Sequence, residues 1–263
     1  MNKTSLIENI ATDLFEAEKK GYEVDKFTAD NPALDTPLAY QVADHLIDMK
    51  IKHEKTRVVG RKLGLTSKSK MQQMNVNEPC YGTLLANMAC SENEPISVSS
   101  FIHPKIEPEI AFVFNQTLEG PYISIPQVLE ATAYIAPALE IIDSRYRNFS
   151  FTLPDVIADN ASSSRYIIGG QLSQPADYQL DLIGMVFRIN GKIVSTGTGA
   201  AVMGHPARAI AWLANKLAQS GKSIKAGEIV LSGALAQAVT IAENDHVSVS
   251  FDGIGSVSAS FIP

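Results

Sequence analysis

The chain has 263 residues, of which 45% are hydrophobic and 19% charged, with a net charge of −6; this is the balance of a globular protein long enough to bury a full core. No apolar run reaches bilayer-spanning length and the N-terminus lacks the apolar stretch of a secretory signal, while the acidic balance argues against a nucleic-acid partner. Cys80 and Cys90 form neither a zinc-like pair nor a disulfide framework, so a reducing, cytoplasmic setting is predicted.

The N-terminal region, residues 1–56, reads as helical. Ser5 and Glu8 have capping-box spacing, Ile7, Ile10, Leu14 and Ala17 recur at helical intervals, and Gly21 is a stop signal. A polar connector over 21–35 leads to Thr36-Pro37, a second start, after which Tyr40, Ala43, Ile47 and Ile51 mark one face. From residue 57 the pattern turns β-rich. Residues 58–65 form a short glycine-punctuated strand, 67–75 a short helix, and 105–115 the clearest strand. A helix is predicted over 124–136, with Ser124 and Gln127 at capping-box spacing, followed by a strand over 138–143. Pro206 opens and Gly221 closes a further helix over 206–220. Residues 229–231, 247–251 and 257–261 read as strands, the last two joined at Asp252-Gly253. The predicted fold class is α+β: a β-rich core over 57–263, in an irregular sheet or barrel-like roll, forming one integrated unit with the helical N-terminus.

The segment Lys105-Ile106-Glu107-Pro108-Glu109-Ile110 concentrates the chemistry. Side chains alternate along a strand, so Glu107 and Glu109 share a face and Ile106, Ile110, Phe112 and Phe114 point the other way into the core. Pro108 donates no ladder hydrogen bond and marks an edge, bulge or mouth. Two adjacent like charges repel, and a bound cation converts that repulsion into attraction. Glu140 lies in the apolar setting Ala138-Leu139-Glu140-Ile141-Ile142, where a lone carboxylate is costly unless it is paired or metal-bound. Three carboxylates with no histidine pair suit a hard ion such as Mg²⁺ or Mn²⁺. The plainer alternative is a solvated Glu107/Glu109 face with Glu140 paired to an arginine.

In order and spacing, Lys105–Glu109, Ala138-Leu139-Glu140, Val156–Ser162 and Gly204-His205-Pro206 resemble the family of 2-keto-4-pentenoate hydratases, 2-oxohept-4-ene-1,7-dioate hydratases and 4-oxalocrotonate decarboxylases, within the fumarylacetoacetate hydrolase superfamily. The resemblance runs over nearly the whole chain. It implies that superfamily's β-rich roll, a Mg²⁺ or Mn²⁺ ion on Glu107, Glu109 and Glu140, and an active-site lysine in Gly60-Arg61-Lys62-Leu63-Gly64-Leu65-Thr66, which is Lys62. It also implies a cytoplasmic homo-oligomer serving aromatic meta-cleavage catabolism, and for a decarboxylase a complex with a paralogous hydratase.

Two departures point to the decarboxylase branch. Hydratases of the family carry Pro-Asp-Phe-Gly where this chain has Pro79-Cys80-Tyr81-Gly82, and a thiol is a poor substitute for an acid–base carboxylate. After Asp159-Asn160-Ala161-Ser162, where hydratases continue Cys-Gly, this chain reads Ser163-Ser164-Arg165-Tyr166. Arg165 offers a planar fork for the second carboxylate of 2-oxohex-3-enedioate; an ion pair with Asp159 is the alternative. Ser162 and Ser163 are candidate carboxylate binders or small residues of a tight loop, and Tyr81 lines the pocket or packs. Leu65 and Thr66 complete the candidate substrate-binding set. Arg145 reads as structural, His205 as a helix cap and His103 as a surface residue. The expected activity is metal-dependent decarboxylation of 2-oxohex-3-enedioate to 2-hydroxypenta-2,4-dienoate and CO₂. A hydratase acting on 2-hydroxypenta-2,4-dienoate and a non-catalytic partner subunit are the alternatives.

Overall fold

The computed structural model describes every residue except Met1 and Met74. Helix α1 (Lys3–Lys20) is capped by Asn2, whose side chain accepts the Ser5 N–H at 2.8 Å, so Ser5 sits inside the first turn and is not the cap. Gly21 ends the helix in the left-handed region (φ 68°). The polar connector contains one helical turn, α2 (Phe27–Asp30). Asp35 then caps α3 (Thr36–Glu54), accepting the Leu38 N–H at 2.9 Å.

Beyond residue 57 the chain forms β1 (Val58–Gly64), α4 (Lys68–Gln73), β2 (Cys80–Leu85), β3 (Ile96–Ser97) and β4 (Lys105–Phe114). Met74, within the predicted helix over 67–75, lies outside the described residues. Helix α5 (Ile125–Ala131) gives way at once to β5 (Thr132–Ile142), so the helix expected to reach 136 stops five residues earlier. Its last residues, Thr132, Tyr134 and Ile135, are β-branched or aromatic, and they pair with Phe114, Val113 and Phe112 of β4. Strand pairing thus overrides a helical period. Next come α6 (Leu153–Ala158), β6 (Ser163–Ile168), β7 (Gly184–Ile189), β8 (Lys192–Thr198) and α7 (Pro206–Ala218), with His205 capping α7 through Nδ1 on the Ala207 N–H at 3.1 Å. The chain closes with β9 (Ile229–Leu231), β10 (Val239–Thr240), β11 (His246–Phe251) and β12 (Gly255–Ile262).

These strands make two sheets. One runs β2-β1-β9-β4-β5-β6, with β10 also on β4; the other runs β3-β12-β11-β7-β8. The main apolar core, including Phe112, Ile110, Leu139, Phe187, Val249 and Phe261, fills the space between the sheets and under α7. The opposite face of the larger sheet is covered by the N-terminal helices. Leu14, Leu38, Val42 and Leu46 of α1 and α3 pack with Tyr146, Ile157 and Ala161, so the helical region shares a core with the turn beside the site. This is the α+β fold expected from the sequence, a curled β core with a helical N-terminal region.

Strand β4 is central, not an edge. Pro108 O accepts the Leu235 N–H at 3.0 Å, which places the proline nitrogen on the same side, where the neighbouring ladder is interrupted between β9 and β10. The missing donor therefore costs no pairing.

Candidate metal centre

Antiparallel register sets Glu107 opposite Glu140, and alternation puts Glu109 on the same face one step along. All three are buried, with Glu109 and Glu140 at 0% exposure. One carboxylate oxygen from each lies within 4.8 Å of the others. Glu109 Oε2 accepts the Gly233 N–H at 2.7 Å, while Glu109 Oε1 and Glu140 Oε1 have no hydrogen-bond partner. Buried acceptors left without donors are costly. Three hard oxygen donors converging on one point, two of them orphaned, fit a divalent cation of the Mg²⁺ class.

Two lysines answer part of this charge. Lys62 on β1 is 2% exposed; its Nζ lies 3.0 Å from Glu140 Oε2 and donates to Ala161 O at 3.0 Å. Lys70 on α4 reaches Glu107 Oε1 at 2.6 Å. Burial and the neighbouring Glu140 and Glu107 charges push Glu109 well above the usual carboxylate range. Burial also lifts Glu140 to about 7, although Lys62 opposes it. For Glu107 burial is outweighed by Lys70 and Lys62, and the group is held below its ordinary value. Lys62 itself is pushed up, because the three carboxylates outweigh its own desolvation. The cluster is short of positive charge, which is the electrostatic demand a cation meets.

The acceptor for Lys62 sits on an unusual turn. Asn160, Ala161 and Ser162 all have positive φ (51°, 53° and 56°), a conformation non-glycine residues adopt at a cost. The Asn160 side chain pins the turn to β2, accepting the Thr83 N–H at 2.7 Å and donating to Thr83 O at 2.9 Å. Behind it, Arg145 is 1% exposed, forms an ion pair with Asp159 and donates to Asp143 O at 2.7 Å. Arg145 is structural, and because it occupies Asp159, no Arg165–Asp159 pair forms.

A cavity of about 200 Å³ opens onto the cluster. Lys62, Leu65, Cys80, Ser162 and Glu107 of the sequence-derived residues line it. Burial raises the Cys80 thiol to about 11, so it is neutral near pH 7. Ser163 is not in the lining but approaches Glu140 from β6. Thr66 is buried against Gly233, where an added Cβ would meet its Oγ1 at 2.3 Å; it backs the backbone that holds Glu109 and does not face the cavity. Tyr81 also points away. Strand alternation pairs it with Leu63, and its ring stacks on Tyr40 at 4.4 Å.

Arg165 lies elsewhere. β6 carries one extra residue opposite Ile141–Ile142, so Ser163 pairs with Ile142 and Arg165 with Ile141. This bulge leaves Ser163 on the Glu140 face and turns Arg165 to the other, 5.7 Å from the Phe101 ring, where it lines a separate cleft with Glu18, Lys50 and Asp143. In its place the cavity is lined by residues to which the sequence assigned no role: Lys70, Lys105, Phe149, Phe151 and Gln237. Lys70 gives no local signal, since its partner is 37 positions away. His103 meets Glu23 at 3.2 Å through Nδ1 and packs on Phe149, away from the carboxylates.

A model of the fumarylacetoacetate (FAA) hydrolase C-terminal family matches residues 56–262. A 4-oxalocrotonate decarboxylase from Pseudomonas sp. (strain CF600) is 43% identical over 265 residues, covering 100% of both chains. A 2-hydroxyhexa-2,4-dienoate hydratase from Comamonas testosteroni is 36% identical, covering 99% of each. Among solved structures, 4-oxalocrotonate decarboxylase from Pseudomonas putida G7, complexed with magnesium and adipate, superposes with a TM-score of 0.95 at 39% identity, covering 100% of this chain and 99% of that one.

Proposed function

Because this chain belongs to the fumarylacetoacetate hydrolase family, we propose that it is a divalent-metal-dependent lyase that decarboxylates 2-oxohex-3-enedioate to 2-hydroxypenta-2,4-dienoate and CO₂. The observation that carries this reading is the make-up of the cavity. Of its described lining residues only Glu107 bears a carboxylate, and Glu107 belongs to the metal cluster. Hydration needs a free group to move protons to and from water. At the position where hydratases place an acid, this cavity offers the neutral Cys80. Decarboxylation needs no such base, only a sink for the electron pair of the breaking bond.

Glu107, Glu109 and Glu140 would hold Mg²⁺ or Mn²⁺. When bound, the ion supplies a Lewis acid for the oxygens of a 2-oxo acid. Cleavage of the C5–C6 bond releases C6 as CO₂. The bonding pair forms C4=C5, the C3=C4 pair moves to C2=C3, and the carbonyl pair goes to the 2-oxygen. Lys62, cationic and fixed between Glu140 and Ala161 O, is the group placed to donate a hydrogen bond or a proton at that oxygen. Leu65, Phe149, Phe151 and Val156 limit water around the diene. Ser162 lines the same wall, but its N–H and hydroxyl already donate to Asp159 O at 3.0 Å and Asp159 Oδ2 at 3.3 Å, so it shapes the wall without a free donor for the substrate carboxylate. A homo-oligomer, a cytoplasmic location and a complex with a paralogous hydratase, which would take up the dienol product, belong to the same proposal.

The test is CO₂ release from 2-oxohex-3-enedioate by the purified protein with and without Mg²⁺, run beside hydration of 2-hydroxypenta-2,4-dienoate. Metal-dependent CO₂ release without hydration is expected. Hydration without CO₂ release would replace this reading with the hydratase.

A further inference from the structure

Three ammonium groups line the cavity, and two are spent on carboxylates: Lys62 on Glu140 and Lys70 on Glu107. The third, Lys105, makes no direct ion pair or hydrogen bond through its Nζ among the described residues, although its charge is felt at Glu107. Its ammonium stands 4.0 Å from the centroid of the Phe149 ring, which lines the cavity beside it. Phe149 is in turn backed by His103, at 5.2 Å between ring centroids. Lys105 is therefore a cation held at the cavity by an aromatic face and committed to no single carboxylate.

Its place on β4 fixes its reach. Lys105 precedes Glu107 by two residues on the same face, roughly 6.6 Å along the strand. An extended six-carbon diacid has about that separation between its two carboxylates. With its 2-oxo acid end at the glutamate cluster, the chain would pass Ile142 and Phe149 and bring its far carboxylate under the Lys105 ammonium. We propose that Lys105, steadied by the Phe149 ring, binds the distal carboxylate of a dicarboxylic substrate and sets the preference for diacids over monoacids. This rests on the decarboxylase reading for the identity of the diacid, not for the existence of the site. It also gives the role expected of Arg165 to a residue on the correct face of the sheet.

The chemistry constrains how tightly such a contact should hold. The distal carboxylate loses its charge as CO₂ departs, so a strong ion pair would stabilise the ground state over the transition state. An ammonium shared with an aromatic face in a partly exposed mouth aids binding without opposing the step strongly. Loss of Lys105 should then raise KM and leave kcat at or above its original value, whereas a merely structural lesion would lower kcat.

The experiment uses Mg²⁺-loaded wild type, Lys105→Met and Lys105→Arg. Binding of adipate and of hexanoate is measured by calorimetry, and 2-oxohex-3-enedioate kinetics are run in parallel. Wild type is expected to prefer adipate by about tenfold or more; Lys105→Met should lose the preference and Lys105→Arg keep most of it. Equal affinities in wild type, or an unchanged preference in Lys105→Met, would overturn the inference. A preference lost in Lys105→Met, from protein that releases no CO₂ in any form, would uphold the diacid site and sink the decarboxylase reading alone.

Discussion

Glu107 on β4 stands directly opposite Glu140 on β5, and both carboxylates are buried in a sheet where each could have been apolar. Like charges facing across an antiparallel pair destabilise it. Lys62 and Lys70 offset only part of the repulsion, because Glu109 adds a third acid. The fold therefore holds a local excess of negative charge that a cation relieves.

Mg²⁺ should accordingly stabilise the protein by mass action, by about 2.7 kcal/mol at a hundredfold excess over Kd, a rise in Tm of roughly 5 °C. Glu109→Gln should abolish the shift. Its metal-free form should be no less stable than wild type, because the amide oxygen still accepts the Gly233 N–H and one repulsive charge is gone. Differential scanning fluorimetry with and without Mg²⁺ checks this; an undiminished shift in Glu109→Gln would remove that residue from the metal set.

Lys62→Met should lower kcat by about 10²–10³, with Mn²⁺ still bound, since the three carboxylates remain. Steady-state kinetics together with Mn²⁺ titration by electron paramagnetic resonance separate the two effects. Retention of kcat within threefold would take Lys62 out of the reaction and leave it as the charge partner of Glu140.

Glu18 provides a pH-dependent contribution away from the site. Burial works against its charge, but Lys50 at 2.6 Å and Arg145 at 4.0 Å prevail and hold it down to about 2. A depressed carboxylate contributes stability that is complete above its unfolded value near 4.5 and is lost as pH falls toward 2. Glu18→Gln should thus be about 2 kcal/mol less stable than wild type at pH 7, with the gap closing as pH falls from about 5 to about 2. Urea unfolding at several pH values measures the gap; one that widens on acidification would reverse the sign and exclude this pairing as its source.

Much of the metal cluster could be read in the sequence because strand alternation is a local rule. Glu-Pro-Glu puts two acids on one face whatever the fold, and an acid flanked by Leu139 and Ile141 announces burial. Lys70 could not be found this way, since only the chain's return brings it to Glu107. The sequence offers Arg165 through its motif and its fork of donors, neither of which carries a direction; a one-residue bulge, set by pairing with β5, puts it on the opposite face from Ser163. The end of α5 was hidden because Ala131–Ala136 suits a helix until β4 is present to pair with it. The family resemblance reached the fold through motifs, and the three-dimensional path between those motifs decided which side chains meet.

The left-handed turn at Asn160–Ser162 yields the sharpest test of geometry at a distance from the chemistry. Each such residue stores about 1–3 kcal/mol of strain, held by the Asn160 bonds to Thr83 and by close packing under Gly82. A Cβ at Gly82 would lie 2.4 Å from Asn160 O, so Gly82→Ala must push the turn outward and carry Ala161 O away from Lys62. Misplacement on the order of 1 Å can cost about 10²-fold in rate. Gly82→Ala is therefore expected to lower kcat at least tenfold while metal affinity stays near that of wild type. Gly170→Ala is the control, because an added Cβ there meets nothing within 4 Å. If Gly82→Ala and Gly170→Ala turn over alike, the turn does not position Lys62, and the strain at residues 160–162 serves only to close the chain between α6 and β6.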